Sequence, residues 1–275
     1  MTSALISEAL APLRADPSRA AILLDIDGTL APIVDHTADA HVPESTRQLL
    51  IGVARMYGLV ACVSGRRASE ARAMVSIGSI TYLGSHGVEL LRSGWTEALL
   101  DSDVADWVRR IEEFGRAADT VDARRLRVRR EDKGAIVAFH WRGAPDAEAA
   151  RAAIDAIAER AQAAGLRTHW GRKVLEVRPP VKIDKGAGIE RLLSQPGAEQ
   201  IDGALYVGDD VTDLDAFRAL RELVVDGRLA RAVRVGVISE EGPATISDEA
   251  DAMVHGTEGV RELLAALTAS VPVHE

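Results

Sequence analysis

Short apolar runs alternating with amphipathic helical segments predict an α/β protein: a doubly wound parallel sheet carrying an inserted α+β unit. Three observations carry that expectation. The runs at residues 21–24, 59–63 and 204–207 are apolar without alternation, as strands buried on both faces are, and each ends on polar residues. Segments with helical spacing of apolar side chains separate them. From residue 96 to residue 182 the pattern changes to helix, hairpin, helix, hairpin, after which strand–helix alternation resumes.

The first strand, Ala21-Ile22-Leu23-Leu24, runs into Asp25-Ile26-Asp27-Gly28-Thr29-Leu30. Open α/β sheets place their chemistry beyond the carboxyl ends of such strands. Two carboxylates one residue apart both reach that crevice only if the strand breaks at Asp25, and Gly28 supplies the backbone freedom. Two acids there suit a divalent metal, a carboxylate nucleophile with an acid/base partner, or both. Taken alone, the hexapeptide equally fits a surface Asp-Gly turn, with Thr29 positioning Asp27 or capping that turn. Residues 43–57 fit a helix with Leu49, Leu50, Val53 and Met56 on one face. The strand at 59–63 ends in Ser64-Gly65-Arg66, and a helix over 68–75 and a strand near 80–83 lead to Gly84-Ser85-His86-Gly87.

In the middle of the chain, Val104, Trp107, Val108 and Ile111 recur at helical spacing, with Trp107 in the core. The alternation in Arg125-Leu126-Arg127-Val128-Arg129 predicts a strand whose arginines share one solvated face. A turn at residues 132–134, a strand over 135–141 and a helix over 145–164 follow, with Ile154 and Ile157 inward and Trp141 and Trp170 packing under the unit or lining its edge. Two strands flank Gly171, and Pro179-Pro180 marks a linker. Asp184-Lys185-Gly186 opens a helix through Leu193, and the strand at 204–207 runs into Gly208-Asp209-Asp210. The tail adds a strand over 233–237 and a helix near 258–267. The expected division is a core of residues 1–95 and 183–275 and an insertion of residues 96–182.

With 47% hydrophobic and 27% charged residues over 275 positions, the chain is an ordinary soluble globular protein. A net charge of -9 argues against a nucleic-acid binder. It leaves room for an anionic substrate, because a metal and a few local bases reverse the field inside one pocket. Cys62 is the single cysteine, within an apolar run, so a buried thiol and a reducing, cytoplasmic setting are expected, with no intrachain disulfide. No apolar stretch approaches the roughly 18 residues a bilayer span needs, so no membrane partner is expected.

Four separated element ends bring polar groups to a fold that gathers such ends: Asp25 and Asp27; Ser64; Lys185; and Asp209, Asp210 and Asp213. In order and spacing these resemble the four motifs of the haloacid-dehalogenase-like phosphatases. The resemblance implies a Rossmann-like core in which Asp25 is the nucleophile and Asp27 the acid/base. Ser64 would donate to a phosphoryl oxygen, and Lys185 would compensate charge on that group and on Asp25. It further implies Mg²⁺ held by Asp25, the Asp27 carbonyl and Asp209, with Asp210 or Asp213 acting in an outer layer or through water. The inserted unit resembles the α/β cap that selects substrate in one branch of these enzymes. Leu214 departs from the pattern, which usually has an acid there, and an additional N-terminal domain found in some relatives is expected to be absent.

Several stretches resemble the trehalose-6-phosphate phosphatase family more narrowly: Gly84-Ser85-His86-Gly87-Val88-Glu89, Glu131-Asp132-Lys133-Gly134, His140-Trp141-Arg142, the run from Gly171 to Pro179, and Gly208-Asp209-Asp210-Val211-Thr212-Asp213. They imply trehalose 6-phosphate as substrate and a functional pairing with a trehalose-6-phosphate synthase. Glu131 and Glu176 would accept from sugar hydroxyls, Lys133, Lys173 and Arg142 would donate, and His86 beside the core crevice would meet sugar or phosphate. Alternatives are a phosphatase of the same cap type acting on sucrose phosphate or mannosylphosphoglycerate, a phosphomutase, or a non-catalytic sugar-phosphate-binding domain.

Overall fold

A computed structural model describes residues 3–34, 40–100, 102–238, 243 and 245–269. In chain order the elements are α1 (Ser3–Ala15), β1 (Ala20–Leu24), α2 (Glu44–Met56), β2 (Leu59–Val63), α3 (Ala68–Val75), β3 (Thr81–Gly84), β4 (Glu89–Leu91) and β5 (Leu99–Leu100). Then come α4 (Ser102–Ala118), α5 (Val121–Arg125), β6 (Arg129–Asp132), β7 (Val137–His140), α6 (Ala147–Ala163), β8 (Arg167–Gly171) and β9 (Val174–Arg178). The chain closes with α7 (Lys185–Leu193), β10 (Gly203–Gly208), α8 (Asp213–Val225), β11 (Arg231–Ile238), α9 (Ile246–Glu249), β12 (Ala252–His255) and α10 (Gly256–Thr268). Among the described residues no helix is long and apolar enough to cross a membrane.

Contacts divide the chain into one unit of residues 1–99 and 184–275 and a second of residues 100–183. The first is built on the sheet β12-β11-β10-β1-β2-β3-β4-β5, with every pair from β12 to β3 parallel and β4 antiparallel to β3. From β1 the chain winds outward through β2 and β3. It then returns to the other side of β1 and winds outward again through β10, β11 and β12. That reversal makes the β1–β10 seam a topological switch point, where open α/β sheets bind their ligands. Both faces of β1 are covered, which is why its sequence does not alternate. Ile22 and Leu24 join one apolar cluster with Leu50 and Val53 of α2 and Leu263, Leu264 and Leu267 of α10. Ala21 and Leu23 join the other with Ile189 of α7 and Ala216, Phe217 and Leu220 of α8. Met56, expected on the inner face of α2, is 43% exposed. It is the last helical residue, and the chain turns away at Tyr57, whose hydroxyl reaches the Leu267 carbonyl.

The second unit is an antiparallel sheet in the order β6-β7-β9-β8 with α4 and α6 against one face. Val137 and Phe139 of β7 and Leu175 and Val177 of β9 point into that core with Ile154, Ile157 and Ala161 of α6. Asp146 caps α6 by accepting from the Ala149 N–H at 2.9 Å. Trp141 is buried and meets Trp170 edge to face at 6.1 Å.

The arginine-rich stretch differs from its expected form. Arg125 ends α5, Arg127 sits at φ +57°, and only Arg129 lies in β6. A helix turn wins over the strand because Thr120 caps α5 through the Ala123 N–H and because its C-terminus closes in a two-bond motif. The Arg127 N–H donates to the Arg124 carbonyl and the Val128 N–H to that of Ala123, each at 2.9 Å. The arginines therefore do not share one strand face.

Candidate active site

The site is assembled where β1, β2 and β10 end. Leu24 of β1 lies beside Val207 of β10 on one side and Cys62 of β2 on the other. This register brings Asp25, Asp209 and Ser64 to the same edge. The Asp25 N–H still donates to the Val207 carbonyl at 2.9 Å, and then the strand breaks. The Ile26 carbonyl accepts from the N–H groups of Thr29, Leu30 and Ala31, a tight turn that returns the chain to the edge. Gly28 has φ +84°, and a Cβ placed there would fall 2.1 Å from Oδ2 of Asp209. Gly28→Ala is therefore expected to cost about 1–3 kcal/mol in stability and to displace Asp209. Denaturant unfolding of that variant checks the first effect and its crystal structure the second.

Lys185, the first residue of α7, bridges two carboxylates. Its Nζ lies 2.6 Å from Oδ1 of Asp25 and 2.6 Å from Oδ1 of Asp213, and all three side chains are buried. Asp184 fixes the helix start by accepting from the Ala187 N–H at 2.8 Å. Asp213 accepts four hydrogen bonds. Oδ1 takes Lys185 and the Tyr206 hydroxyl at 2.6 Å, and Oδ2 takes the N–H groups of Asp209 and Asp210 at 2.9 Å. Both oxygens are thus saturated, and Asp213 orients Lys185 and the Asp209 turn. Thr29 donates to Oδ1 of Asp209 at 3.3 Å rather than to Asp27. Asp210 is turned outward, its Oδ1 accepting from the N–H of Val211.

Burial dominates the electrostatics. It pushes the Asp25 carboxyl well above the usual range, against the pull of Lys185. Burial, with Asp213 adding to it, brings Asp209 up to about 6. Burial also disfavours charge on Lys185, but Asp213 and Asp25 override it and hold the ammonium above its ordinary range. Asp25, Asp209 and Asp213 present oxygens within 4.8 Å of one another, with one ammonium among them. Three buried carboxylates facing one cation leave an excess of negative charge, and hard oxygen donors of this kind suit a divalent ion such as Mg²⁺. With Asp213 saturated, Asp25 and Asp209 are the carboxylates free to hold it.

Asp27 is engaged by a residue outside the expected set. Arg66 grips it in a two-point fork, Nε to Oδ2 at 2.7 Å and Nη2 to Oδ1 at 2.6 Å. Ser64 is buried at the end of β2, its Oγ accepting from the Arg66 N–H at 3.1 Å and its carbonyl from the His86 N–H at 3.1 Å. His86 itself sits at φ +56°, packed against Gly65, in the turn that follows β3. Tyr206 and Arg66 were within reach of the sequence only as a strand residue and as part of the Ser64-Gly65-Arg66 turn. Neither carries a local signal of its contact.

In the second unit, β6, β7 and β9 bring Glu131, Lys133 and Glu176 together. Lys133 Nζ lies 3.3 Å from Oε1 of Glu176 and 3.8 Å from Oε2 of Glu131. Glu131 also meets His140 Nε2 at 2.8 Å, and Glu176 meets Arg178 at 2.5 Å. Burial opposes ionisation of Glu176, but Arg178 and Lys133 outweigh it and hold the carboxyl below its ordinary range. Arg142 and Lys173 take no part in this network. Arg142 lines a separate cavity, and Lys173 occupies the β8–β9 turn at φ +60°.

The strand order, with aspartates at the switch point and a helix-start lysine between two of them, agrees with the haloacid-dehalogenase-like pattern that the sequence resembles. A haloacid dehalogenase-like hydrolase from Bacteroides thetaiotaomicron has the same fold, with a TM-score of 0.58 at 16% identity over 90% of this chain and 98% of that one. Residues 23–253 match the family profile described as Trehalose-phosphatase, and the chain belongs to that family. It is 33% identical over 209 residues to the probable trehalose-phosphate phosphatase D of Arabidopsis thaliana, covering 73% of this chain. The match spans 56% of that relative, so the chain accounts for about half of the length of the protein it resembles. The C-terminal domain of the trehalose-6-phosphate phosphatase of C. albicans has the same fold, with a TM-score of 0.67 at 21% identity over 95% of this chain and 96% of that one.

Proposed function

We propose that this chain is a Mg²⁺-dependent phosphatase that hydrolyses trehalose 6-phosphate to trehalose and phosphate in two displacements. The observation that carries the reading is the Lys185 bridge between Asp25 and Asp213 at the switch point, with Asp209 beside it. Phosphate monoesters are among the slowest esters to hydrolyse unaided, so charge stabilisation has to dominate. Lys185 holds Oδ1 of Asp25 and leaves its other oxygen to attack phosphorus. As that bond forms, the bond to the sugar oxygen breaks, and Asp27 gives the leaving oxygen its proton. Asp27, now a carboxylate, takes a proton from the water that attacks the aspartyl-phosphate, releasing phosphate and restoring Asp25. Ser64 donates its hydroxyl to a phosphoryl oxygen. Asp25, Asp209 and the Asp27 carbonyl would hold Mg²⁺, which would supply the neutralising charge that lets an anionic nucleophile approach an anionic substrate. Asp27 leaves the Arg66 fork to carry its proton, which frees that guanidinium for the phosphoryl oxygens.

Glu131, Lys133 and Glu176 supply the sugar-reading groups, since a disaccharide demands donors and acceptors together. Lys133→Ala is expected to lower kcat/KM for trehalose 6-phosphate by about tenfold or more. The same change should leave hydrolysis of a small aryl phosphate nearly unchanged, and equal losses on the two substrates would remove Lys133 from sugar recognition. The reaction fits a cytoplasmic setting, supported by a lone buried thiol, and a functional pairing with the synthase that makes its substrate. Phosphate release from trehalose 6-phosphate, sucrose phosphate and mannosylphosphoglycerate, each with and without Mg²⁺, tests the proposal. Preference for trehalose 6-phosphate and dependence on Mg²⁺ are expected. Equal rates on all three, or turnover indifferent to the metal, would contradict it.

A further inference from the structure

We propose that the unit of residues 100–183 carries a second, separate binding site, for a small anion bearing two or more phosphoryl groups. The site is an open surface concavity of ≈ 700 Å³ lined by Arg124, Arg127, Arg129, Arg130 and Arg142, with Asp119 as its one acidic residue. That volume is typical of small-molecule sites. Asp119 is already spent on Arg124, at 3.0 Å, with Arg130 at 4.0 Å. Among the described residues no hydrogen bond or ion pair engages the side chains of Arg127, Arg129 or Arg142. Three solvent-exposed arginines without an acidic partner thus line one concavity in a chain whose net charge is -9. A polyanion seated among them gains from several positive charges at once, an attraction that added salt weakens.

The backbone adds an independent observation. Arg127 occupies the left-handed position, φ +57°, that closes the C-terminus of α5. Glycine is the favoured residue there because a Cβ is penalised. A long cationic side chain at a strained position beside the cavity is the kind of outlier that marks a functional site. Guanidinium forks match phosphoryl oxygens two at a time, so several forks around one cavity favour a ligand with more than one phosphoryl group over a monoester. The lining holds no aromatic ring on which a base could stack, which disfavours a nucleic acid. The proposal stands apart from the hydrolytic reading and does not depend on it.

Calorimetric titration of the whole chain in metal-free buffer, with inorganic phosphate, pyrophosphate and tripolyphosphate, tests it. Affinity is expected to rise with each added phosphoryl group. Arg127→Gln with Arg129→Gln is expected to weaken tripolyphosphate binding by about tenfold or more. Arg127→Gly separates the two roles of that residue: its melting temperature should rise as the strain is removed, while its tripolyphosphate affinity falls. This second variant decides the question if the double variant does not fold. Unchanged tripolyphosphate affinity in Arg127→Gly or in a folded double variant would overturn the proposal. So would tighter binding of an oligonucleotide than of tripolyphosphate.

Discussion

Asp25→Asn is expected to abolish turnover of trehalose 6-phosphate, with a loss in kcat on the order of 10⁴- to 10⁶-fold, the scale seen when a covalent nucleophile is removed. The amide keeps the shape of the side chain and can still accept from Lys185, so the site should remain assembled. Its stability is informative as well. Asp25 is one of three buried carboxylates around a single ammonium, and burial already disfavours its charge. Removing that charge lessens repulsion with Asp213 and Asp209. The metal-free variant should therefore melt no lower than the parent chain, while gaining less stability from added Mg²⁺. Circular dichroism melts with and without the ion, together with phosphate release, check the three outcomes. Appreciable hydrolysis by this variant would remove Asp25 as the nucleophile.

Lys185→Met carries the opposite structural consequence. The ammonium is buried and donates to both Asp25 and Asp213 at 2.6 Å. Its removal leaves two buried carboxylates without their cation, a loss of about 3–5 kcal/mol for a broken buried pair. Tyr206 and two backbone N–H groups still hold Asp213, so the damage should concentrate at Asp25. Activity should fall with stability, and Mg²⁺ should restore part of the melting temperature, because it supplies positive charge at the same carboxylates. Denaturant unfolding measured with and without Mg²⁺ checks this. A variant as stable as the parent chain would show that the bridge contributes little to the fold.

Much of the candidate site's geometry was legible in the sequence because its residues sit at the ends of elements with strong local signals. The unalternating run before Asp25 and the apolar strand before Asp209 each mark an edge of the sheet, and the Asp184 cap before Lys185 marks a helix start. The parallel order of the strands then brings those edges together. What stayed hidden depends on pairs distant along the chain. The Arg66 fork on Asp27 joins residues with no local reason to meet, and Tyr206 reads as one more apolar strand residue until its hydroxyl is seen on Asp213. Thr29 reads as a cap for its own turn, yet it reaches across the seam to Asp209. The arginine stretch misled for a different reason. Its alternation imitates a strand, but the Thr120 cap and the closing turn at Arg127 win locally, without the glycine that usually announces such a turn. Helix α8 has Ala216, Phe217, Leu220 and Leu223 buried at helical spacing, a pattern overshadowed by the acidic run that precedes it.

Rapid acid quenching of the chain during turnover of trehalose 6-phosphate with Mg²⁺, followed by peptide mapping of the phosphoryl adduct, addresses the chemistry most directly. The account predicts a phosphoryl group on Asp25 that is absent from Asp25→Asn. An adduct on any other residue, or one that persists in that variant, would contradict it.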